Sequence, residues 1–233
     1  MPAVPGGAAA FRANPVTYLT TYPSILSAVG GIEAAINDFA WQLNPGNPVT
    51  RDWLRCTPKA AAFADIQAWS PAGLCAGARE LRIIGAVAEA GVRYLPYQAD
   101  KLSYMRLDVA AQWIYTGPIE GCFVYVVTHG GHTYLFHVNA NIVAGAHANA
   151  LAKDTKLRAA LNTLLPGGVV VNRLARDDYA PPAGDHRPFR GFVWGQLTGG
   201  GWVFRYHSFI INGAVPIALH PAPLLPNAAG MLA

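Results

Sequence analysis

The sequence has little charge and few cysteines for its length, and each shortage excludes a class of protein. Charged residues make up 13% of the 233 residues and hydrophobic residues 52%, so the chain can bury a sizeable core. The three cysteines, Cys56, Cys75 and Cys122, are widely spaced and form no CxxC pair, which excludes a zinc knuckle and a thioredoxin motif. A disulfide between Cys56 and Cys75 would leave Cys122 as a free thiol, and three reduced thiols are the alternative.

Long apolar runs and clustered basic residues are also missing. The most apolar stretch, 209–225, is broken by polar and proline residues, so we expect no segment that spans a membrane. The net charge of +4 is scattered, and a nucleic-acid partner is not expected because it requires a focused basic patch. The first residues, MPAVPGGAAAFRANP, lack a basic start and a compact apolar block, so we expect no Sec signal peptide.

The order of local patterns predicts an α+β fold. Apolar spacing favours a mostly helical N-terminal part, and β-branched and aromatic runs favour strands later in the chain. Runs of helices followed by runs of strands indicate a mostly antiparallel, β-sandwich-like core flanked by helices, in a single catalytic domain over 1–233. The predicted helices are 32–43, 58–69, 71–90 and 148–165, the predicted strands lie in 102–115 and 169–174, 176–188 is a loop, and the Ala-rich N-terminus and the tail 221–233 are irregular.

Two hairpins are the clearest structural features of the sequence. In CFVYVVTH-GG-HTYLFHVN, two strand-like runs are joined by Gly130-Gly131, which can adopt the positive φ angles of a two-residue turn. Facing residues then have numbers that sum to 261, so that His129 faces His132 and Val124 faces His137. The second predicted hairpin is FRGFVWGQLT-GGG-WVFRYHSFII.

This register places Cys122 and His137 on one face of the first hairpin. Side chains alternate between the faces of a strand, and the two residues are diagonal neighbours about 7–8 Å apart between backbones, within side-chain reach. An imidazole beside a thiol can take its proton and make it a nucleophile. Gly121 allows close backbone approach to a substrate, and N–H groups there could bind an oxyanion. The alternative is a small buried cysteine beside a hydrogen-bonded core histidine.

The segment TGPIEGC, followed by a strand hairpin that carries a histidine, resembles the glutamine deamidases of the cytotoxic necrotizing factor type. It is also similar to the Burkholderia lethal factor and the chemoreceptor deamidases, which share that catalytic architecture. In that group a short LxGC-like motif starts a strand and a histidine lies on the next one. Here the motif is Ile119-Glu120-Gly121-Cys122, and His137 follows at a spacing that fits. The lethal factor and the chemoreceptor enzymes also use a threonine shortly before the cysteine, which Thr116 matches.

The resemblance, which covers 116–139, implies a bacterial toxin or effector that converts a glutamine of a host protein to glutamate. Cys122, His137 and Thr116 would be catalytic, Thr116 would orient the histidine or the substrate amide, and no cofactor or metal would be needed. The implied target is a host protein such as a small GTPase or a translation factor, and the implied toxin is a monomer. A dedicated bacterial system would secrete it into the host cytoplasm. An amine in place of water would make the same enzyme a transglutaminase.

Two other functions fit parts of the sequence. A papain-like protease or a peptidoglycan amidase would use the same cysteine and histidine, although those enzymes place the cysteine at the start of a helix. A non-enzymatic binding module would instead present the aromatic residues of the late hairpin, Trp194, Trp202, Phe204, Tyr206 and Phe209, as a ligand platform. A Cys122 at the floor of an accessible groove favours the enzyme, and a buried Cys122 with no cleft favours the binding module. His129 and His132 could chelate a surface metal, but a turn pair of this kind is more often incidental.

Overall fold

The computed structural model of the chain describes residues 7–22, 24–29, 53–55, 59–60, 62–68, 79–84, 92–96, 102–107, 111–139, 150–212, 215–220 and 222–232. Its helices are α1 (Gly7–Ala13), α2 (Pro15–Thr21), α3 (Ala150–Leu164) and α4 (Arg176–Tyr179). Its strands are β1 (Ser24–Val29), β2 (Trp53–Arg55), β3 (Lys59–Ala60), β4 (Ala62–Ala68), β5 (Arg79–Ile84), β6 (Val92–Pro96), β7 (Leu102–Leu107), β8 (Trp113–Ile119), β9 (Phe123–His129), β10 (His132–Val138), β11 (Val169–Leu174), β12 (Phe189–Thr198), β13 (Gly201–Asn212), β14 (Val215–His220) and β15 (Asn227–Met231). None of the helices described is long and apolar enough to cross a membrane.

The described strands form three sheets. Sheet I has the order β15-β11-β9-β10-β7-β2, sheet II the order β14-β13-β12-β8-β6-β3, and sheet III the order β1-β5-β4. Each sheet contains one parallel pair, β2 with β7, β6 with β8 and β1 with β5, and its other pairs are antiparallel. The predicted α+β fold with a mostly antiparallel sheet core is therefore confirmed.

Sheets I and II pack face to face around one apolar cluster. The cluster takes Val124 and Val126 from β9 in sheet I, and Ile114 from β8 and Val193 from β12 in sheet II. Because the side chains of a strand point alternately to its two faces, every second residue of β9 enters this layer. Cys122, just before β9, belongs to the same cluster. The interior between the two sheets therefore contains the position that the sequence analysis singled out.

The outer faces of both sheets are also covered, which explains why the central strands read as continuous apolar runs. Phe123, Tyr125 and Val127 point away from sheet II and pack under α3, which contributes Leu157 and Leu161. On the far side of sheet II, one cluster joins residues of α1, α2, sheet III and the outer face of sheet II: Phe11, Tyr18, Leu19, Leu26, Leu81, Tyr94, Tyr115, Phe192 and Trp194.

Most predictions for the second half of the chain are confirmed. The first hairpin has the predicted register, with His132 opposite His129 and His137 opposite Val124. Gly130 and Gly131 have φ angles of 56° and 77°, as the two-residue turn requires. The second hairpin is formed by β12 and β13, 102–115 contains β7 and the start of β8, and the helix predicted over 148–165 is α3. The predicted loop 176–188 is irregular after the single turn of α4.

Several predictions for the rest of the chain are wrong. The helix expected over 58–69 is replaced by β3 and β4. In the stretch 71–90, where a helix was also expected, the described residues 79–84 form β5. Helix propensity is a weak preference that tertiary pairing overrides, and here β5 is flanked by β1 and β4. The helix predicted over 32–43 lies outside the described residues. The Ala-rich N-terminus forms α1, and the tail forms β15, which pairs with β11.

Candidate active site

Cys122 and His137 lie on the same face of the first hairpin, as the register requires. His137 is directly opposite Val124, and Cys122 is two residues before Val124 along the same strand direction. The backbone pairing ends at Phe123 and Val138, and the residues just beyond it remain in contact through their side chains, because the Cys122 thiol donates to Asn139 Oδ1 at 3.5 Å. Cys122 and Asn139 therefore form the pair next to Val124 and His137 on the face that packs against sheet II.

Thr116 connects His137 to the other sheet. It lies in the middle of β8, between Leu95 of β6 and Val193 of β12. Its hydroxyl oxygen is 2.6 Å from His137 Nδ1 and 2.9 Å from the Leu95 carbonyl oxygen. Thr116 and His137 are both buried. The structure thus brings together two of the residues selected from sequence, although they are carried by different sheets.

The two hydrogen bonds of Thr116 determine which nitrogen of His137 carries the proton. A carbonyl oxygen can only accept, so the single hydroxyl proton of Thr116 is donated to Leu95. The hydroxyl oxygen must then accept from Nδ1–H of His137. In a neutral imidazole with the proton on Nδ1, the lone pair is on Nε2. Nε2 is therefore the atom of His137 that can take a proton from a thiol.

Burial keeps His137 neutral at ordinary pH. The side chain is 1% exposed, and removal from water lowers its pKa from 6.5 to about 3, because the charged form loses more hydration than the neutral one. The resting state consequently holds a neutral imidazole and not an imidazolium paired with a thiolate. In this state His137 can act only as a base.

Tyr179 and Gly121 adjoin Cys122 at the end of the inter-sheet layer. Tyr179, on α4, is fully buried and its hydroxyl donates to the Cys122 carbonyl oxygen at 2.9 Å. Burial raises the pKa of Tyr179 well above its usual value, and the charge of a Cys122 thiolate would raise it further. Gly121 lies half-buried in the bend between β8 and β9. The α4 turn therefore packs over the backbone of the candidate nucleophile.

A surface cleft opens beside Cys122, but Cys122 does not line it. The cleft has a volume of about 270 Å³ and includes Glu120, two residues before Cys122, and Phe189. The Cys122 side chain itself is 2% exposed. The structure therefore has a cleft next to a covered thiol, and a substrate can reach Sγ only after the covering residues move.

The aromatic residues of the second hairpin do not form an exposed platform. Trp194, Phe204, Tyr206 and Phe209 are all buried, and Trp202 is half-buried. They divide between the core layers on the two faces of sheet II, as strand aromatics commonly do. This removes the observation on which a non-enzymatic aromatic binding module depended. The position of Cys122 before a strand also differs from the helix start expected of a papain-like enzyme.

Three residues near the site were not selected from sequence. Asn139 was identifiable from the register as the residue opposite Cys122. Ser103 is directly opposite His137 on β7 and is buried, but pairing between β7 and β10 leaves no local sequence signal. Tyr179 contacts Cys122 across 57 positions of sequence, and only the tertiary fold brings them together. In the part of the chain that is described, no group of three or more His, Cys, Asp or Glu side chains is arranged to hold a metal ion.

Comparisons with known proteins give a remote structural likeness. No known family model and no curated protein matches the chain. Among solved structures, the chain is similar to the C-terminal domain of CNFy from Yersinia pseudotuberculosis, with 10% sequence identity and a TM-score of 0.28. The alignment covers 60% of this chain and 62% of that one, so the chain spans less than two thirds of the length of that domain.

The buried His137 makes stability depend on pH in a defined direction. Between pH 6.5 and about 3 the unfolded chain binds a proton at this residue and the folded chain does not, so the free energy of unfolding falls as pH falls. We expect His137 alone to lower the free energy of unfolding by about 2 kcal/mol when the pH falls from roughly 7.5 to 5. Urea unfolding at both pH values, for wild type and His137→Gln, measures the difference.

Comparing wild type with His137→Gln separates the contribution of His137 to the pH dependence of stability from that of the other titrating groups. His220 also has its pKa lowered by burial and contributes a loss of the same sign in both proteins. Equal pH dependence in wild type and His137→Gln would show that folding does not lower the pKa of His137, and would contradict the buried neutral imidazole.

The Tyr179 hydrogen bond predicts how the thiol becomes accessible. Tyr179→Phe removes the bond to the Cys122 carbonyl, and the lost bond is worth about 1–3 kcal/mol in a buried setting. We expect Cys122 to be alkylated by iodoacetamide roughly 10-fold faster in this variant, as measured by peptide mapping. Tyr94→Phe is the matched control, because the buried Tyr94 hydroxyl donates to the Gly117 carbonyl at 2.9 Å on the other face of sheet II. Equal acceleration in both variants would mean that labelling requires global unfolding.

Proposed function

We propose that this chain is a cysteine-dependent enzyme that deamidates a glutamine side chain of a protein. The observation that carries the proposal is the 2.6 Å contact between Thr116 Oγ1 and His137 Nδ1, on the hairpin face that also carries Cys122. Because Thr116 holds Nδ1, Nε2 is the imidazole nitrogen left to act as the base toward the Cys122 thiol in the proposed reaction.

The chemistry proceeds in two halves. His137 Nε2 takes the Cys122 proton, and Sγ bonds to the carbon of the glutamine carboxamide. When the tetrahedral intermediate collapses, the C–N bond breaks and ammonia leaves with the proton returned by His137. Water, deprotonated by the same nitrogen, then attacks the thioester, and the C–S bond breaks to give glutamate and the free thiol. An amine in place of that water would give transglutamination.

Backbone N–H groups at Gly121 and Cys122 are the proposed donors to the developing oxyanion. Gly121 lies in a bend, and the absence of a side chain there allows the substrate carbonyl to approach the backbone. Donors fixed before reaction stabilise the negative charge without reorganisation. Ser103, whose buried hydroxyl has no hydrogen-bond partner among the described residues, lies opposite His137 and would hold the hydrolytic water.

Opening of the site is a requirement of this mechanism. A base whose pKa is about 3 is too weak to hold a proton from a thiol whose ordinary pKa is about 8.5. The same burial that lowers the pKa of His137 also covers Cys122 Sγ. Movement that admits a polar carboxamide and water would therefore raise the basicity of His137 and expose the nucleophile together.

The biological setting belongs to the same proposal. The chain would act as a secreted bacterial toxin or effector on a host cytoplasmic protein, with a small GTPase or a translation factor as the class of target. Target choice in such an enzyme is determined by loops around the site, and the irregular segment after α4 borders the cleft beside Cys122. It would act as a monomer, without nucleic acid, membrane, metal or cofactor.

The test of the reaction is mass spectrometry of host-cell lysate treated with wild type or with Cys122→Ala. We expect one or a few glutamines to be converted to glutamate by wild type, and the rate to fall by roughly 10³-fold or more without the nucleophile. His137→Gln should be similarly inactive, and His132→Gln, which alters an exposed histidine of the same hairpin, should keep full activity. A folded wild type that neither converts glutamine nor incorporates a labelled amine would exclude the proposal.

Thr116 is expected to act as a positioning residue through His137. Thr116→Val keeps the shape but removes the hydroxyl, so the imidazole loses its orientation, and we expect kcat to fall roughly 10²-fold with little change in KM. Thr116→Ser keeps the hydroxyl and should stay within a few-fold of wild type. Steady-state kinetics on the target identified by mass spectrometry measures both. Equal activity of the two variants would show that the hydroxyl has no role in the reaction.

A further inference from the structure

The cleft beside Cys122 is rich in charged side chains. It is bounded by the residue at the end of β8, by the first residue of α4 and by the segment that leads into β12: Glu120, Arg176, Asp185, His186, Arg187, Pro188, Phe189 and Arg190. Three of these residues are arginines and two are carboxylates. The ion pairs and hydrogen bonds among these side chains determine which charged group remains available to a ligand.

Two of the three arginines are already paired with the two carboxylates. Arg187 makes hydrogen bonds to Asp185 from both Nε and Nη2, the shorter at 2.6 Å. Arg190 forms an ion pair with Glu120. Across the described part of the chain, no hydrogen bond or ion pair engages the Arg176 side chain, and its Nε is buried without an acceptor.

The Arg176 side chain is held in place although no hydrogen bond or ion pair among the described residues engages it. Its guanidinium lies over the ring of Phe189, 5.5 Å from the ring centre, which orients the plane of the group and restricts its motion. A buried N–H without an acceptor costs free energy, and a planar guanidinium matches a carboxylate with two parallel hydrogen bonds. A carboxylate that enters the cleft would satisfy Arg176 without breaking either of the existing pairs.

Two structural connections place the cleft close to Cys122: the backbone from Glu120 and the contacts of Tyr179. Glu120 is two residues before Cys122, at most about 7 Å along the backbone. Tyr179 follows Arg176 on the same helical turn, donates to the Cys122 carbonyl and meets the edge of Phe189 with ring centres 5.8 Å apart. A substrate glutamine at Cys122 would therefore place its next few residues over this cleft, since an extended chain advances about 3.3 Å per residue.

We propose that Arg176 binds the carboxylate of an aspartate or glutamate within about three residues of the target glutamine. This inference rests on the proposed function and names the class of substrate: a glutamine in an acidic surface segment of the target protein. Arg176 is then a specificity residue that contacts substrate away from the reacting atoms.

Binding to Cys122→Ala tests the subsite independently of catalysis. The probes are three fluorescently labelled, blocked seven-residue peptides that are centred on a glutamine and carry glutamate, glutamine or phosphoserine at all three positions on either side of it. Their binding is followed by anisotropy. We expect the glutamate peptide to bind roughly 10-fold more tightly than the glutamine peptide. Adding Arg176→Gln should abolish that preference and Arg176→Lys should retain part of it. Arg106→Gln, which removes the same charge from an exposed position on β7, should leave the preference intact.

Each other outcome has a defined meaning. Equal binding of the glutamate and glutamine peptides, a preference that survives Arg176→Gln, or binding weaker than about 1 mM for every peptide overturns the subsite. Tighter, Arg176-dependent binding of the phosphoserine peptide overturns the assignment to a carboxylate. If the preference is found but wild type deamidates no glutamine, the subsite stands and the proposed reaction fails.

Discussion

The hydrogen bond between Thr116 and His137 crosses an interface that is built mainly from apolar side chains. Buried polar groups are costly unless they are paired, so this bond links the positions of the two sheets: β8 must present Thr116 where β10 presents His137. The Leu95 carbonyl completes the chain by accepting the hydroxyl proton. A slip of one residue in the first hairpin would turn His137 to the outer face and leave Thr116 without this partner. Register, sheet packing and tautomer are thus determined together.

Sequence reasoning succeeded where the determining signals are local. Gly130-Gly131 and the alternating pattern around them were enough to derive the register that puts Cys122 and His137 on one face, and the same kind of signal identified the second hairpin. It failed where pairing is non-local: β4 and β5 form strands because they pair with each other and with β1, and β15 because it pairs with β11. Thr116 was selected through family resemblance, since nothing local indicates that its hydroxyl crosses between sheets.

Burial has opposite consequences for structure and for chemistry at this site. A closed interior makes the Thr116–His137 bond stronger, because water cannot compete for it. The same interior keeps the imidazole neutral, covers the thiol and withholds the polar surroundings that charge separation requires. In the proposed enzyme this burial would keep the nucleophile unreactive until a specific partner arrives, because accidental alkylation or oxidation also needs an exposed thiolate.

The α4 turn connects recognition to reactivity in physical terms. Arg176 begins the turn and lines the cleft, and Tyr179 ends it and holds the Cys122 carbonyl. Residues three apart on a helical turn lie on one side of it, so α4 cannot shift at one of these positions without shifting at the other. A partner bound at the proposed Arg176 subsite would therefore act on the element that holds the Cys122 carbonyl. A ligand shifts the equilibrium between the closed and the open site only by its difference in affinity for the two states. Under the proposal, the Arg176 guanidinium is the group through which a substrate would supply that difference.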